Sequence, residues 1–276
     1  ENKETKEKYI AKTNKTKCSN ETDKKAFLNS IKVYFDIKYP SIVSFIGFSY
    51  LDFDSNPYPT IVIEYIPNDT LSKFLTKSQQ EWTSKYNILL GISLGMEYLH
   101  SNSFSIGQLA TTNILLDDHF YPKIEFYNFC RNINSETSTE SIIYSLSIIA
   151  YELITGKRSP VDFSLIQGET NQQFFKKCTS QNMIERPTIL EFCRFIVKKS
   201  FISLFDDVKT EDVTTYLEKF SDDNVALFIH GEMLYETDKK SAIDYYKKSI
   251  EKGNSFAMKK YADMLYNGDD IDINKE

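Results

Sequence analysis

The spacing of apolar residues changes along this chain, and each change marks an element. Near the start, Tyr9-Ile10-Ala11-Lys12 reads as a short strand in an otherwise polar segment rich in Lys, Glu, Thr and Asn. From Lys24 to Tyr34 the apolar residues Phe27, Ile31 and Tyr34 fall at i, i+4 and i+7, one face of an amphipathic helix. Strand-like runs follow at Ile42 to Leu51 and Thr60 to Tyr65, parted by the turn-forming Asp54-Ser-Asn-Pro57. Asp69 or Thr70 is placed to cap a short helix, Leu71 to Thr76, and Trp82 opens a long one that ends at His100. In the long helix Ile88, Ile92, Met96 and Leu99 form a buried stripe, and Gly91 and Gly95 let a neighbour approach closely. Two short apolar runs, Asn113 to Asp117 and Pro122 to Phe126, flank a polar turn. A buried helix is predicted from the apolar run that starts at Ser141, and an amphipathic one from Val213 to Phe220.

Beyond residue 220 the chain repeats itself. Ala226-x-x-x-His-Gly-x-Met-Leu-Tyr235 returns as Ala257-x-x-x-Tyr-Ala-x-Met-Leu-Tyr266, with Ala242-Ile-Asp-Tyr245-Tyr246 and Gly253 between them. Small residues at fixed helix positions, paired tyrosines and a terminal glycine resemble Sel1-like repeats, helix-turn-helix units related to TPR repeats. The resemblance implies protein ligands on a stacked helical surface, with Tyr235, Tyr246 and Tyr266 as candidate contacts or as inter-helix core. The chain opens without methionine and stops inside the second unit, so a longer protein with more repeats is expected.

Composition narrows the function classes. With 276 residues, 41% of them hydrophobic, the chain can bury one sizeable core and a second, smaller one. The net charge is -6, and its acidic excess lies from Phe201 onward, which disfavours nucleic acid or an anionic membrane as partner. Cys18, Cys130, Cys178 and Cys193 show no paired spacing, so free thiols in a reducing, cytoplasmic setting are expected rather than zinc or disulfides. The longest uncharged apolar run, Ser141 to Tyr151, is too short to span a bilayer. His100, His119 and His230 are too scattered to form a histidine-based catalytic or metal set.

The densest signal is Tyr98-Leu-His100, then Asn113-Ile-Leu-Leu-Asp117, then Tyr121-Pro-Lys-Ile124. In this order and spacing these runs resemble the catalytic and metal-binding loops of protein kinases of the tyrosine-kinase-like group. The implied fold is an α+β bilobal kinase with a truncated small lobe, followed by the all-α repeat segment. The implied boundaries are residues 1–199 for the kinase-like domain, 200–220 for a connecting helix and 221–276 for the repeats. In the kinase motif, His-Arg-Asp-Leu-Lys-x-x-Asn supplies a base, a phosphate-binding lysine and a metal-binding Asn, and Asp-Phe-Gly a second metal ligand. Here the first motif reads Ile106-Gly107-Gln108-Leu109-Ala110-Thr111-Thr112-Asn113 and the second Phe126-Tyr127-Asn128, leaving only Asn113 in place.

Each replacement has a chemical consequence. The neutral amide of Gln108 cannot take a proton from an attacking hydroxyl, Ala110 offers no cation to the phosphate, and Phe126 offers no oxygen to magnesium. The resemblance further places Lys12 at the nucleotide-phosphate lysine, Ile10 against the adenine, Ile63 at the gatekeeper and Glu64 at the first hinge residue. Lys12, Glu64 and Asn113 are therefore the vestigial nucleotide-site residues. The helix position that should carry the carboxylate for Lys12 is Ser30, so Lys12 is expected to have no such partner. No G-x-G-x-x-G occurs, and only Phe129 to Glu140 stand where an activation segment belongs, with Ile142 replacing the Asp that anchors the catalytic loop. Arg186 is expected either to pair with Glu136 or Glu140 or to stay solvated, and Tyr34, Phe45, Ile106 and Tyr127 to stack as an apolar column. These readings predict a pseudokinase scaffold without a cofactor. The alternative is a divergent, active serine/threonine or tyrosine kinase that binds ATP weakly with magnesium.

Overall fold

The computed structural model describes residues 7–77, 80–104, 109–125, 139–158 and 160–267. The chain divides into two compact units, Glu1–Thr76 with Leu99–Thr137, and Lys77–Tyr98 with Ser138–Glu276.

The first unit is built on a three-stranded antiparallel sheet of β1 (Tyr9–Thr13), β2 (Phe45–Ser49) and β3 (Thr60–Glu64), in the order β1-β3-β2. Ile10 lies opposite Ile63 and Lys12 opposite Ile61. Ile61 and Ile63 are buried, as the alternation of the central strand demands. Helix α1 (Glu21–Ile31) begins on Asn20, whose side chain accepts from the Asp23 amide, and continues as a 3-10 turn, Lys32–Tyr34. The predicted face delivers Ile31 and Tyr34 to the core, and Phe27 meets Phe48 edge-on at 6.0 Å. Of the expected apolar column, Tyr34 and Phe45 stack at 6.3 Å, while Ile106 and Tyr127 lie outside the described residues. After β3, Thr70 caps the short helix α2 (Leu71–Phe74). A second, two-stranded sheet pairs β4 (Ile114–Leu116) with β5 (Pro122–Ile124).

The second unit is helical. Most of α3 (Trp82–Ser101) lies in it, with Tyr86, Ile88, Leu89, Leu90, Ile92 and Met96 all fully buried, so this helix is wrapped rather than half-exposed. Helix α4 (Thr139–Thr155) buries Ile142, Leu146, Ile149 and Leu153 and stops at Gly156, whose φ of 69° suits a residue without Cβ. Then come α5 (Glu169–Cys178) and α6 (Ile189–Ile196), the latter opened by a capping box of Thr188 and Glu191. Where one connecting helix is expected, two short ones stand, α7 (Lys199–Ile202) and α8 (Thr210–Glu218). Phe201 and Tyr216 on these helices, and Phe205 and Phe220 just after them, are buried. The last helices are α9 (Asn224–Leu234), α10 (Lys239–Glu251) and α11 (Ser255–Asn267).

Arg186 corrects an expectation. Its Nη1 donates to the main-chain carbonyl of Glu140 at 2.7 Å and its Nε to that of Ser180 at 3.0 Å, and the guanidinium lies over the Tyr144 ring. A planar fork of five donors is satisfied by carbonyls as well as by a carboxylate. Glu136 lies outside the described residues.

Candidate functional site

The site is assembled within the first unit by the β4–β5 hairpin. Asn113 closes a 3-10 turn, Thr111–Asn113, with its amide donating to the carbonyl of Ala110 at 2.9 Å. The chain then enters β4, turns at Asp117 and returns along β5. The turn is held by the Asp117 carboxylate, which accepts from the amides of His119 and Tyr121 at 2.9 and 2.8 Å. Among the described residues Asp117, Asp118 and His119 are the one group with metal-ligand proximity. The Asp117 oxygen is already engaged by the turn, and Asp118 and His119 are exposed.

The returning strand brings Glu125 beside Asn113, whose carbonyl accepts from the Glu125 amide at 2.8 Å. The neighbouring Ile124 is fixed too: its amide donates to Ser41 at 2.8 Å, and its carbonyl accepts from Val43 at 3.0 Å. From this anchored backbone the Glu125 carboxylate accepts an ion-paired hydrogen bond from Lys12 Nζ on β1. The carboxylate side chain is 9% exposed and the lysine 29%. The expectation that Lys12 lacks a carboxylate is therefore overturned. Its partner comes from the end of β5 and not from α1, where Ser30 is exposed and bonds the Phe27 carbonyl at 2.6 Å. In a partly dehydrated setting the attraction within such a pair is stronger than at the surface but is offset by desolvation, whereas removing one partner strands the other charge at a cost of a few kcal/mol.

A second pair lies on the same hairpin. Lys123 Nζ is 3.1 Å from Glu64 Oε1 at the end of β3, and that oxygen also accepts from the Ser44 amide at 2.7 Å. Glu64 is thus held by its side chain to β5 and by its amide to the Ser44 carbonyl at 3.0 Å. The hairpin is tied further to the segment after β3, where the Asn68 amide donates to Leu116 at 3.3 Å.

Of the residues singled out in the sequence, Lys12, Glu64, Ala110 and Asn113 all fall in this one unit. Gln108, Phe126 and Asn128 lie outside the described residues. Two charged groups were missed, Glu125 and Lys123. The available signal was their place in Pro-Lys-Ile-Glu-Phe, charges within an apolar run, which ask for partners when the run is buried.

Residues 1–141 match the family described as protein tyrosine and serine/threonine kinase. The chain belongs to this kinase family. Curated relatives include cysteine-rich receptor-like protein kinase 27 of Arabidopsis thaliana, 27% identical over 165 residues, which are 48% of this chain and 25% of that protein. Cysteine-rich receptor-like protein kinase 42 of the same plant is 32% identical over 112 residues, 38% of this chain and 17% of that protein. The kinase-family chain thus spans about a quarter or less of these relatives' length. No helix among its described residues is long and apolar enough to cross a membrane.

In the described part of this kinase-family member's site the Glu125 carboxylate is committed to an ion pair with Lys12. Magnesium needs several oxygens in octahedral array. Asn113 alone retains a ligand type at a motif position, Phe126 has none, and the nearby Glu125 carboxylate is engaged by Lys12.

Proposed function

We propose that this kinase-family chain transfers no phosphate and acts as a signalling scaffold, with its last helices forming Sel1-like repeats that contact other proteins. The observation that carries the reading is the joint replacement of base, phosphate cation and metal carboxylate by Gln108, Ala110 and Phe126. Phosphoryl transfer is chiefly positioning and charge neutralisation, so these losses strike its principal terms. Adenine is disfavoured by Ile10, whose extra carbons intrude on the ring position that the kinase resemblance implies, and nucleotide binding is expected to be weak.

The scaffold half of the reading is supported by the helix pair α9 and α10. Gly231 faces the Tyr246 ring so closely that a Cβ there would stand 2.5 Å from a ring carbon. Arg194 of α6 forks onto Glu232 of α9, both contacts at 3.0 Å, and Tyr246 donates to the same carboxylate at 3.0 Å. The Glu232 carboxylate thus links α9 both to α6 and to α10. Tyr246 is core, whereas Tyr266 is 92% exposed and remains a candidate contact. The buried free thiols Cys18, Cys178 and Cys193 suit a reducing, cytoplasmic setting.

A divergent active kinase is the second reading, favoured by the family match and by relatives named as receptor-like protein kinases. Incubation of the purified protein with Mg-ATP or Mn-ATP and generic protein substrates decides between them. No phosphate transfer above background is expected. Turnover that disappears on Gln108→Ala would reverse the conclusion.

A further inference from the structure

Lys12 and Glu125 are 113 residues apart in sequence, yet they form an ion pair in which the carboxylate is nearly dehydrated. The direction from which the carboxylate arrives matters. A partner on α1 would approach Lys12 from the helix; Glu125 instead comes from the end of β5, with its amide on the carbonyl of Asn113. Asn113 stands at the place the kinase motif gives to metal and phosphate. The negative charge is therefore carried by the residue whose amide is bonded to that motif position. Its backbone is pinned through Asn113, while the neighbouring Ile124 is held by Ser41 and Val43. The fixed backbone keeps the Glu125 side chain rooted beside Lys12, and a ligand that displaces its carboxylate must break the ion pair.

We propose that Glu125 is a built-in anion that takes the phosphate's place at Lys12 and excludes polyphosphate ligands from the site. The inference deepens the reading of weak nucleotide binding and rests on it. Two negative groups competing for one lysine repel each other, and in a partly buried site that repulsion is weakly screened. Removing the carboxylate's charge while keeping its shape should turn the site into one that welcomes a polyphosphate. The class of ligand it would then take is a triphosphate, free or on a nucleotide.

The test titrates sodium tripolyphosphate and ATP, each with and without magnesium, against the full chain, followed by calorimetry and by melting temperature. Glu125→Gln should bind tripolyphosphate about ten-fold or more tighter than the unaltered protein, the effect of removing one like charge. The ligand should also restore melting temperature lost by the substitution. Glu125→Asp, which keeps the charge, should not gain affinity, and Glu125→Gln combined with Lys12→Met should lose the gain. The Asp variant and the double variant also serve as folding controls. If Glu125→Gln binds no tighter than the unaltered protein while neither binds well, the built-in anion is wrong and weak nucleotide binding stands. If the unaltered protein already binds ATP at micromolar concentration, both fail. If Glu125→Gln weakens binding only with magnesium present, Glu125 is a metal ligand and the proposal is overturned.

Discussion

His230 makes the stability of this protein depend on pH. It lies in α9, 2% exposed, stacked at 3.7 Å on the Tyr245 ring, with no hydrogen-bond partner for Nε2 among the described residues. Burial, with a smaller contribution from the Lys248 charge, pushes its pKa down from 6.5 to about 4. Between these values the folded protein keeps a neutral imidazole while the unfolded chain takes up a proton. Stability therefore falls as pH drops from about 6.5 towards 4, by about 1.4 kcal/mol per unit. Urea melts at pH 6.5 and 5 should differ by roughly 2 kcal/mol more for the unaltered protein than for His230→Phe. Equal pH slopes in the two proteins would assign the effect to other groups. The sequence showed His230 inside a repeat at a helix position, yet its neutral, dehydrated state depends on Tyr245 and Lys248 of the next helix.

At the scale of elements, the repeat pattern has a steric reading. Gly231 of α9 meets Tyr246 of α10 with no room for a methyl, and α10 ends before Gly253, whose φ of 86° a residue with Cβ rarely adopts. Asn254 beyond that turn and Ser249 before it both donate to the carbonyl of Asn224, at 3.1 and 2.5 Å, tying the start of α9 to the end of α10. Gly231→Ala should then destabilise the second unit by about 1–3 kcal/mol, since the ring must shift within a filled core. Gly47→Ala on β2, where an added Cβ meets nothing within 4 Å, is the matched control and should change stability by less than about 1 kcal/mol. Thermal melts of the two variants measure the contrast. Similar losses in both would mean that helix approach at Gly231 is not limiting.

For the whole molecule, the question is where the kinase-like domain stops. A boundary at residue 199 follows from the motifs, but the segment beyond it supplies aromatic core to the second unit. Phe205 meets Trp82 and Tyr86 edge-on at 6.1 and 5.4 Å, Phe201 meets Phe175 and Phe195, and the Lys209 amide donates to Thr83 at 3.0 Å. Fully burying a phenylalanine contributes about 1.5–3 kcal/mol, so a chain cut after Lys199 loses several such terms at once. The truncated protein should melt far below the intact chain, or fail to give a cooperative transition by circular dichroism. A truncated chain as stable as the intact one would restore the boundary at 199. Partner contacts are accordingly better examined in the full chain, with Tyr266→Ala.

Much of this was legible in the sequence. Periodicity placed α1 and α3, because a face turned to a core must repeat at the period of its own backbone, apolar runs between turns placed β2, β3 and α4, and the kinase resemblance placed β1. Motif order identified the kinase family, and Lys12, Glu64, Ala110 and Asn113 fall in one compact unit. What only tertiary structure decided is which charged groups meet. Lys12 to Glu125, Lys123 to Glu64 and Arg194 to Glu232 are separated by 113, 59 and 38 residues. No local pattern encodes such distances. Tyr235 and Tyr266 hold the same place in the repeat, yet one is half-buried and the other lies open to solvent. An ion pair or a buried ring depends on where two chain segments come to rest together, and that is settled by packing of the whole core rather than by the residues adjacent in sequence.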